Sequence, residues 1–273
     1  MATGPFEIRK NLELPSGDIL YRDQSIRETT KSVIDAASTW AGGNLAAYPE
    51  GTQIKNLCYV DDYAESKVSS WSSTPAGAGG GIVYPGGAKG LKLPASFYPG
   101  AATDFIATVW FKFPASGIVS TLQPNHLLFI GSGDGNNFAL STFKLYAVMD
   151  STFKMTGLGL VLFGTLQSVP AAVLGAITLG AVTQLSVRVT FNSVSAKWLP
   201  TFYVNGKPVA TGSEVAAIFT DAPDQAWAMG HQPGGFSLVS TFYRARLDVM
   251  GDSTLTPDEV VSADYNLNKA FYS

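Results

Sequence analysis

Residues 185–209 read LSVRVTFNSVSAKWLPTFYVNGKPV. Leu185, Val187, Val189 and Phe191 alternate with Ser186, Arg188 and Thr190. That period of two marks a strand with one buried face. After a polar break at residues 192–197, Phe202-Tyr203-Val204 faces Lys207-Pro208-Val209 across Asn205-Gly206. Asn-Gly supplies the two positive-φ residues of a type I′ turn, so a tight antiparallel hairpin is expected. Pro208 has no N–H to donate and should sit at a strand start or on an edge.

Composition agrees with a β-rich chain. Among 273 residues, 28 are glycine and only 14 % are charged, against about 25 % in an average soluble domain. Many short strands joined by glycine turns, or wide contact with other subunits, would give this balance. The length fits one β domain of about 200 residues plus an extension. A net charge of −3 gives no basic footprint for nucleic acid. Cys58 is the lone cysteine, which excludes an intrachain disulfide and reads as a small buried apolar residue. The opening MATGPFEIRKNLELPSGD lacks an apolar signal-peptide core, so a chain made in the cytosol is expected. The most apolar stretch, 158–182, is broken by Gln167, Ser168 and Pro170. It reads as two buried strands with a turn at 168–170, not as a membrane helix.

Two regions follow. Residues 1–75 read as an N-terminal attachment arm. Ser25 and Glu28 have capping-box spacing, and Ile26, Val33, Ile34 and Ala37 lie on one helical stripe, which predicts a helix over 26–38. A short strand is expected at 56–60, and Thr74 to Gly81 reads as a linker or wide turn. Residues 76–273 carry strands at 91–93, 106–113, 127–130, 138–143, 144–149, 157–163, 226–229 and 242–250. Turn signals recur about every ten residues, the pattern of a β sandwich or jelly roll. Val109, Phe111, Val187, Val189, Phe191, Phe202, Val204, Leu247 and Val249 are its expected core. Thr256-Pro257-Asp258-Glu259 forms a second capping box with proline at its first helical position, predicting a closing helix over 257–265.

The order of these pieces resembles that of laminin-G-like domains. TDFIATVWFK at 103–112, LLFIG at 127–131 with DGNNF at 134–138, the hairpin strands, AMG at 228–230, FYRARLDV at 242–249 and LTPDEV at 255–260 follow the family's sequence of strands and its final helix. The resemblance covers about residues 82–266. It implies a mainly β, concanavalin A-like antiparallel sandwich. That fold hosts lectins, glucanases, adhesion modules and viral structural domains, so it does not fix function.

The related glucanases use a Glu-x-Asp-x-x-Glu strand, and retaining hydrolysis needs two carboxyls about 5 Å apart. No such run exists here. Glu65, Glu214 and Glu259 each lack a second carboxylate in strand register, so no catalytic residue is assigned and a non-enzyme is expected. His126 and His231 fit no metal spacing or nucleophile elbow. Asp134, Asn136 and Asn137 lie in a Gly-Asp-rich loop that calcium could use, since hard cations take several oxygen ligands; the same residues are ordinary turn formers. No other cofactor is expected. Trp198 and Trp227 flank loops, and with His231 they are the candidate sugar-stacking and sugar-bonding groups. Phe6, Ile8, Leu12 and Leu14 are apolar groups in a segment too short for its own core, and are the candidate assembly contacts.

The function expected from all this is a virion structural protein of a bacteriophage, a capsid decoration or a tail or fibre component. It would be held by its arm against other virion proteins and copies of itself. The alternative is a lectin or receptor-binding module for a cell-surface glycan. Neither nucleic-acid binding nor membrane insertion is expected.

Overall fold

The computed structural model describes residues 23–59, 61–68, 74–86, 90–119, 126–132, 141–216, 225–230, 238–251 and 253–272. The first strands are β1 (Thr30–Asp35), β2 (Gln53–Lys55), β3 (Tyr63–Lys67), β4 (Ala76–Ala78), β5 (Gly81–Pro85) and β6 (Gly90–Leu93). Then come β7 (Asp104–Lys112), β8 (His126–Gly131), β9 (Ser141–Met149), β10 (Met155–Leu162), β11 (Thr165–Ser168) and helix α1 (Ala171–Gly175). The chain ends with β12 (Val182–Asn192), β13 (Lys197–Val204), β14 (Lys207–Thr211), β15 (Gln225–Ala228), β16 (Val239–Val249) and helix α2 (Pro257–Asn268).

These strands form two antiparallel sheets. The first is ordered β14-β13-β12-β7-β16-β5-β4, and the second β11-β10-β9-β8-β15-β6-β3-β2. β16 has β7 on one side; its other side is shared by β5, opposite residues 239–242, and β1, opposite 244–248. The inner faces meet in one core. Val109, Phe111, Val187, Val189, Phe202, Val204 and Leu247 are buried in it, with Phe191 and Val249 packed at its margin, as the alternation requires.

The central hairpin has the expected turn. Asn205 has φ 51° and Gly206 φ 79°, and Val204 pairs with Lys207. Gly206 also touches α2, because a Cβ there would lie 2.9 Å from the Tyr265 Cβ. Helix α2 starts at the expected cap: the Glu259 N–H donates to Thr256 Oγ1, and the Thr256 N–H donates to Glu259 Oε2 at 2.7 Å.

Four expectations differ from the structure. The helix over 26–38 is strand β1, preceded by turns. Its capping residues are used elsewhere: Ser25 Oγ accepts from Arg244 at 2.8 Å, and Glu28 accepts from Ser253 at 2.7 Å. The β-branched residues Val33 and Ile34 point to opposite sides of β1 and are both fully buried, which a strand between two packed layers allows. The strand expected at 56–60 is displaced to β2; Asn56 begins a turn, and Val60 lies outside the described residues. The linker over 74–81 is the hairpin β4–β5, turned at Gly79 (φ 57°) and Gly80 (φ 75°). In 158–182, the first expected strand is split, because β10 turns back at Phe163-Gly164, both with positive φ, into the exposed edge strand β11, and the second, expected after Pro170, begins as helix α1.

Strands β1–β3 are built into the two sheets, so described residues before 76 pack on the sandwich. Phe6, Ile8, Leu12 and Leu14 lie outside the described residues.

Candidate functional site

The outer face of the first sheet is closed. Helix α2 lies over it and buries Val260 and Val261 with Ile106 and Tyr203. Beside them sits a buried ion cluster. Arg244 contacts Asp23 at 2.6 Å, Asp35 at 2.7 Å and Asp264 at 3.1 Å. Arg246 takes both oxygens of Asp248, at 2.7 and 2.8 Å, and reaches Asp264 at 3.3 Å. Asp264 also accepts from the Trp110 indole and the Gln184 amide, each at 2.8 Å. Burial alone would raise the pKa of Asp264; the two guanidiniums and these hydrogen bonds outweigh it and hold it below the usual carboxylate range. Tyr272 donates to Asp35 at 2.8 Å. The cluster therefore ties residues 23–35, β16 and the C-terminal residues together. Cys58 lies near it, and burial pushes its thiol up to about 12, so it stays protonated and unreactive.

The outer face of the second sheet is different. Ala64, Leu91, Leu93, Ala226 and Ala228 point into the core. Their neighbours Tyr63, Glu65, Lys92, Gln225 and Trp227 therefore point outward. Register places Gln53, Glu65, Lys92, Trp227, Phe129 and Lys144 in one transverse row. At the β3–β6–β15 end of this face, with the loop after β6, lies a cleft of about 350 Å³ lined by Asp62, Tyr63, Glu65, Lys92, Tyr98 and Gln225. That volume suits a small polar ligand.

Buried partners fix the polar groups of this cleft. Asn56, buried, donates to Asp62 at 2.7 Å and to Ser32 at 3.0 Å, while its oxygen accepts from the Val33 and Cys58 N–H groups, each at 3.0 Å. Ser96 also donates to Asp62. Glu65 pairs with Lys67 at 2.5 Å. The Trp227 indole donates to the Gln225 oxygen at 3.0 Å, leaving that amide's NH2 as the end that can donate to a ligand. Lys31 donates to the Tyr98 carbonyl at 2.5 Å and so holds the loop; burial lowers the Lys31 pKa. Tyr63 keeps 37 % of its surface exposed.

The tryptophans expected to stack on sugar are not on the surface. Trp198 is 7 % exposed, and its ring packs at 4.5 Å from Phe163 and 5.0 Å from Phe191. It is the second residue of β13, beside the loop as expected but turned into the core. Trp227 is fully buried in the middle of β15, and its part in the cleft is to orient Gln225. His231, Asp134, Asn136 and Asn137 lie outside the described residues. Among the described residues no group of three or more His, Cys, Asp or Glu is placed to hold a metal. The sequence reading missed Tyr63, Tyr98, Lys92 and Gln225, which carry no motif. The available signal was the alternation Tyr63-Ala64-Glu65-Ser66-Lys67, which presents one aromatic and two charged residues on one face.

No protein-family model matches the chain, and no curated protein does. Solved structures match by fold. Domain 4 of AbnA, a GH43 extracellular arabinanase from Geobacillus stearothermophilus, in complex with arabinotriose, is 17 % identical, with 86 % of this chain and 98 % of that one covered and a TM-score of 0.50. Trypanosoma rangeli sialidase in complex with sialic acid is 12 % identical, covering 93 % of this chain and 35 % of that one, with a TM-score of 0.53. This chain thus spans about a third of the sialidase. The likeness establishes a concanavalin A-like antiparallel jelly roll.

Proposed function

We propose that this chain is a non-enzymatic carbohydrate-binding module and that the cleft beside Tyr63 is its binding site. The observation that carries this reading is the cleft's make-up: an accessible aromatic ring next to an amide and a carboxylate that buried Trp227 and Asn56 hold, with the Lys92 ammonium beside them. A sugar offers both an apolar C–H face, which a flat ring covers, and hydroxyls that need fixed donors and acceptors. Hydrolysis is disfavoured because the three glutamates weighed as catalytic are engaged: Glu65 by Lys67, Glu214 by Lys197 at 3.5 Å, and Glu259 by its helix cap. Among the described residues Glu65 shares its cleft with Asp62, which Asn56 and Ser96 hold; a glycosidase pair needs both carboxyls aimed at the scissile bond.

A glycan array probed with the whole chain, with calcium and with chelator, tests the reading. Binding is expected, and Tyr63→Ala and Gln225→Ala should each remove most of it without changing the melting temperature. Sugar binding unaffected by both substitutions, or no binding at all, would overturn it. Binding that needs calcium would point to the Asp134 loop as a ligand set.

A second reading, a place in a virion or a similar assembly, draws support from the low share of charge, 14 %, and from well-exposed Leu166 and Phe271. Light scattering of the purified chain tests it, with self-association or association with a particle expected.

A further inference from the structure

We propose that the binding face continues from the cleft across β3 and β2 to Trp40, and that its ligand is an extended acidic oligosaccharide. This rests on the glycan-binding reading above and specifies its ligand class.

Trp40 is 61 % exposed, the most exposed of the large aromatic side chains among the described residues apart from Phe271. It sits in the turn that flanks β2, the last strand of the second sheet. That turn is held to the strand by the backbone, because the Lys55 N–H donates to the Ala41 carbonyl at 2.7 Å. The Lys55 ammonium lies 5.1 Å from the centroid of the Trp40 ring. Ile54, beside Lys55, points into the core, so Lys55 shares the outer face with Tyr63, its cross-strand partner. The aromatic surface of the cleft therefore leads, through Lys55, to a second aromatic platform at the sheet edge.

Charge sets the ligand class. Lys55 and Lys92 stand on the strands either side of β3, opposite Tyr63 and Glu65; two strand spacings across and two residues along put their backbones about 12 Å apart. Neither forms an ion pair among the described residues. Of the carboxylates near them, Glu65 is paired with Lys67, while Asp62, held by Asn56 and Ser96, and Asp61, which accepts from the Tyr63 hydroxyl at 3.3 Å, keep their charge. The face thus offers a ligand's carboxylates two ammonium groups that no described carboxylate pairs. A chain of acidic sugars crossing three strands can place carboxylates at both ammoniums while its ring faces cover Tyr63 and Trp40.

Calorimetry of the whole chain with galacturonate oligomers of two and six residues, and with neutral cellohexaose, tests this. The acidic hexamer should bind about tenfold more tightly than either the acidic dimer or the neutral hexamer, and its affinity should fall as salt rises. Trp40→Ala should remove that hexamer advantage and leave dimer binding unchanged; Lys55→Gln should reduce the hexamer affinity and its salt dependence. Both residues are on the surface, and unchanged melting confirms folding. If Tyr63→Ala abolishes binding while Trp40→Ala alters neither length, the extension is wrong and the glycan-binding cleft stands. Equal binding of acidic and neutral hexamers overturns the charge assignment. If no oligomer binds, the acidic-ligand proposal falls while the glycan array decides the cleft; if Tyr63→Ala has no effect on the binding seen, both proposals fall.

Discussion

On the outer face of the first sheet, Arg244 and Arg246 meet Asp23, Asp35, Asp248 and Asp264, and both arginines are buried beside Ser25 and α2. On the outer face of the second sheet, near β2, β3 and β6, Lys55 and Lys92 lie open, with no ion pair among the described residues. Both faces alternate with the same core, so position in the fold does not separate them. What separates them is burial. A guanidinium out of water needs a carboxylate to balance its charge and an acceptor for its remaining donors, here supplied also by Ser25 and Thr30, because an unpaired buried charge costs several kcal/mol. An exposed ammonium is satisfied by water and makes no comparable demand. The first face is consequently committed to holding the fold, and the second is free to meet a ligand.

The largest expected effect breaks the first face. Asp264→Ala removes the carboxylate shared by both arginines and the partner of Trp110 and Gln184. It should cost about 3–5 kcal/mol, read as a lower midpoint in denaturant unfolding. Replacing the surface partner Lys67 of Glu65 by alanine should cost well under 1 kcal/mol. Equal losses from the two substitutions would erase the contrast between the faces.

The same cluster makes stability depend on pH. Asp23 is also held below its ordinary value of 3.8: burial would raise it, but Arg244 and hydrogen bonds from Ser25 win. For Asp23 and Asp264 the folded pKa lies below the unfolded one. Their contribution is therefore complete above pH 3.8 and is lost as pH falls through the lowered folded values. At the alkaline end, burial raises Cys58 from 9.0 to about 12, and burial with the bond to Asp258 raises Tyr203 from 10.0 to about 12. These groups stay protonated longer in the fold, so their stabilisation is present below pH 9–10 and lost as pH rises towards 12. Thermal melts across pH should show a plateau between these limits. No steepening below pH 3.8 would mean that the cluster does not hold Asp23 and Asp264 ionised.

The hairpin at the edge of the first sheet, whose turn touches α2, gives a smaller effect. Gly206→Val forces a β-branched residue into φ 79° and against Tyr265, and should cost about 1–3 kcal/mol. An unchanged melting temperature would dissociate the turn from the covered face.

The sequence revealed the two faces unequally. Hairpin, core and α2 were legible because Asn205-Gly206, the alternation of 185–191 and the Thr256–Glu259 cap are local signals. Strand β1 was not, because Ser25 and Glu28 satisfy a capping rule in sequence but find their partners, Arg244 and Ser253, more than 200 residues away. The cleft was hidden for the same reason. Its polar groups come from β3, β6, β15 and a loop, and only strand pairing brings them together. Trp198 and Trp227 drew attention by residue type, whereas accessibility, which decides stacking, depends on the strand that carries them.

The smallest expected effect on stability is the sharpest test of the second face. Tyr63 projects from β3 near the sheet edge, and its outward ring does not belong to the core cluster. Truncating an exposed side chain away from caps, cavities and ion networks usually changes stability by less than about 0.5 kcal/mol. Tyr63→Ala should therefore melt like the parent. Stacking a sugar on that ring draws on the same surface that folding leaves unused, so the substitution should still weaken glycan binding. Asp264→Ala should do the reverse, lowering stability while leaving the affinity of the folded fraction unchanged. A cycle of both substitutions should give additive losses, since the sites lie on opposite layers and share no partner. Coupling between them would show that the face that holds the fold also shapes the cleft. The first link to test would then be Asn56, which bonds both the β1 backbone at Val33 and the cleft carboxylate of Asp62.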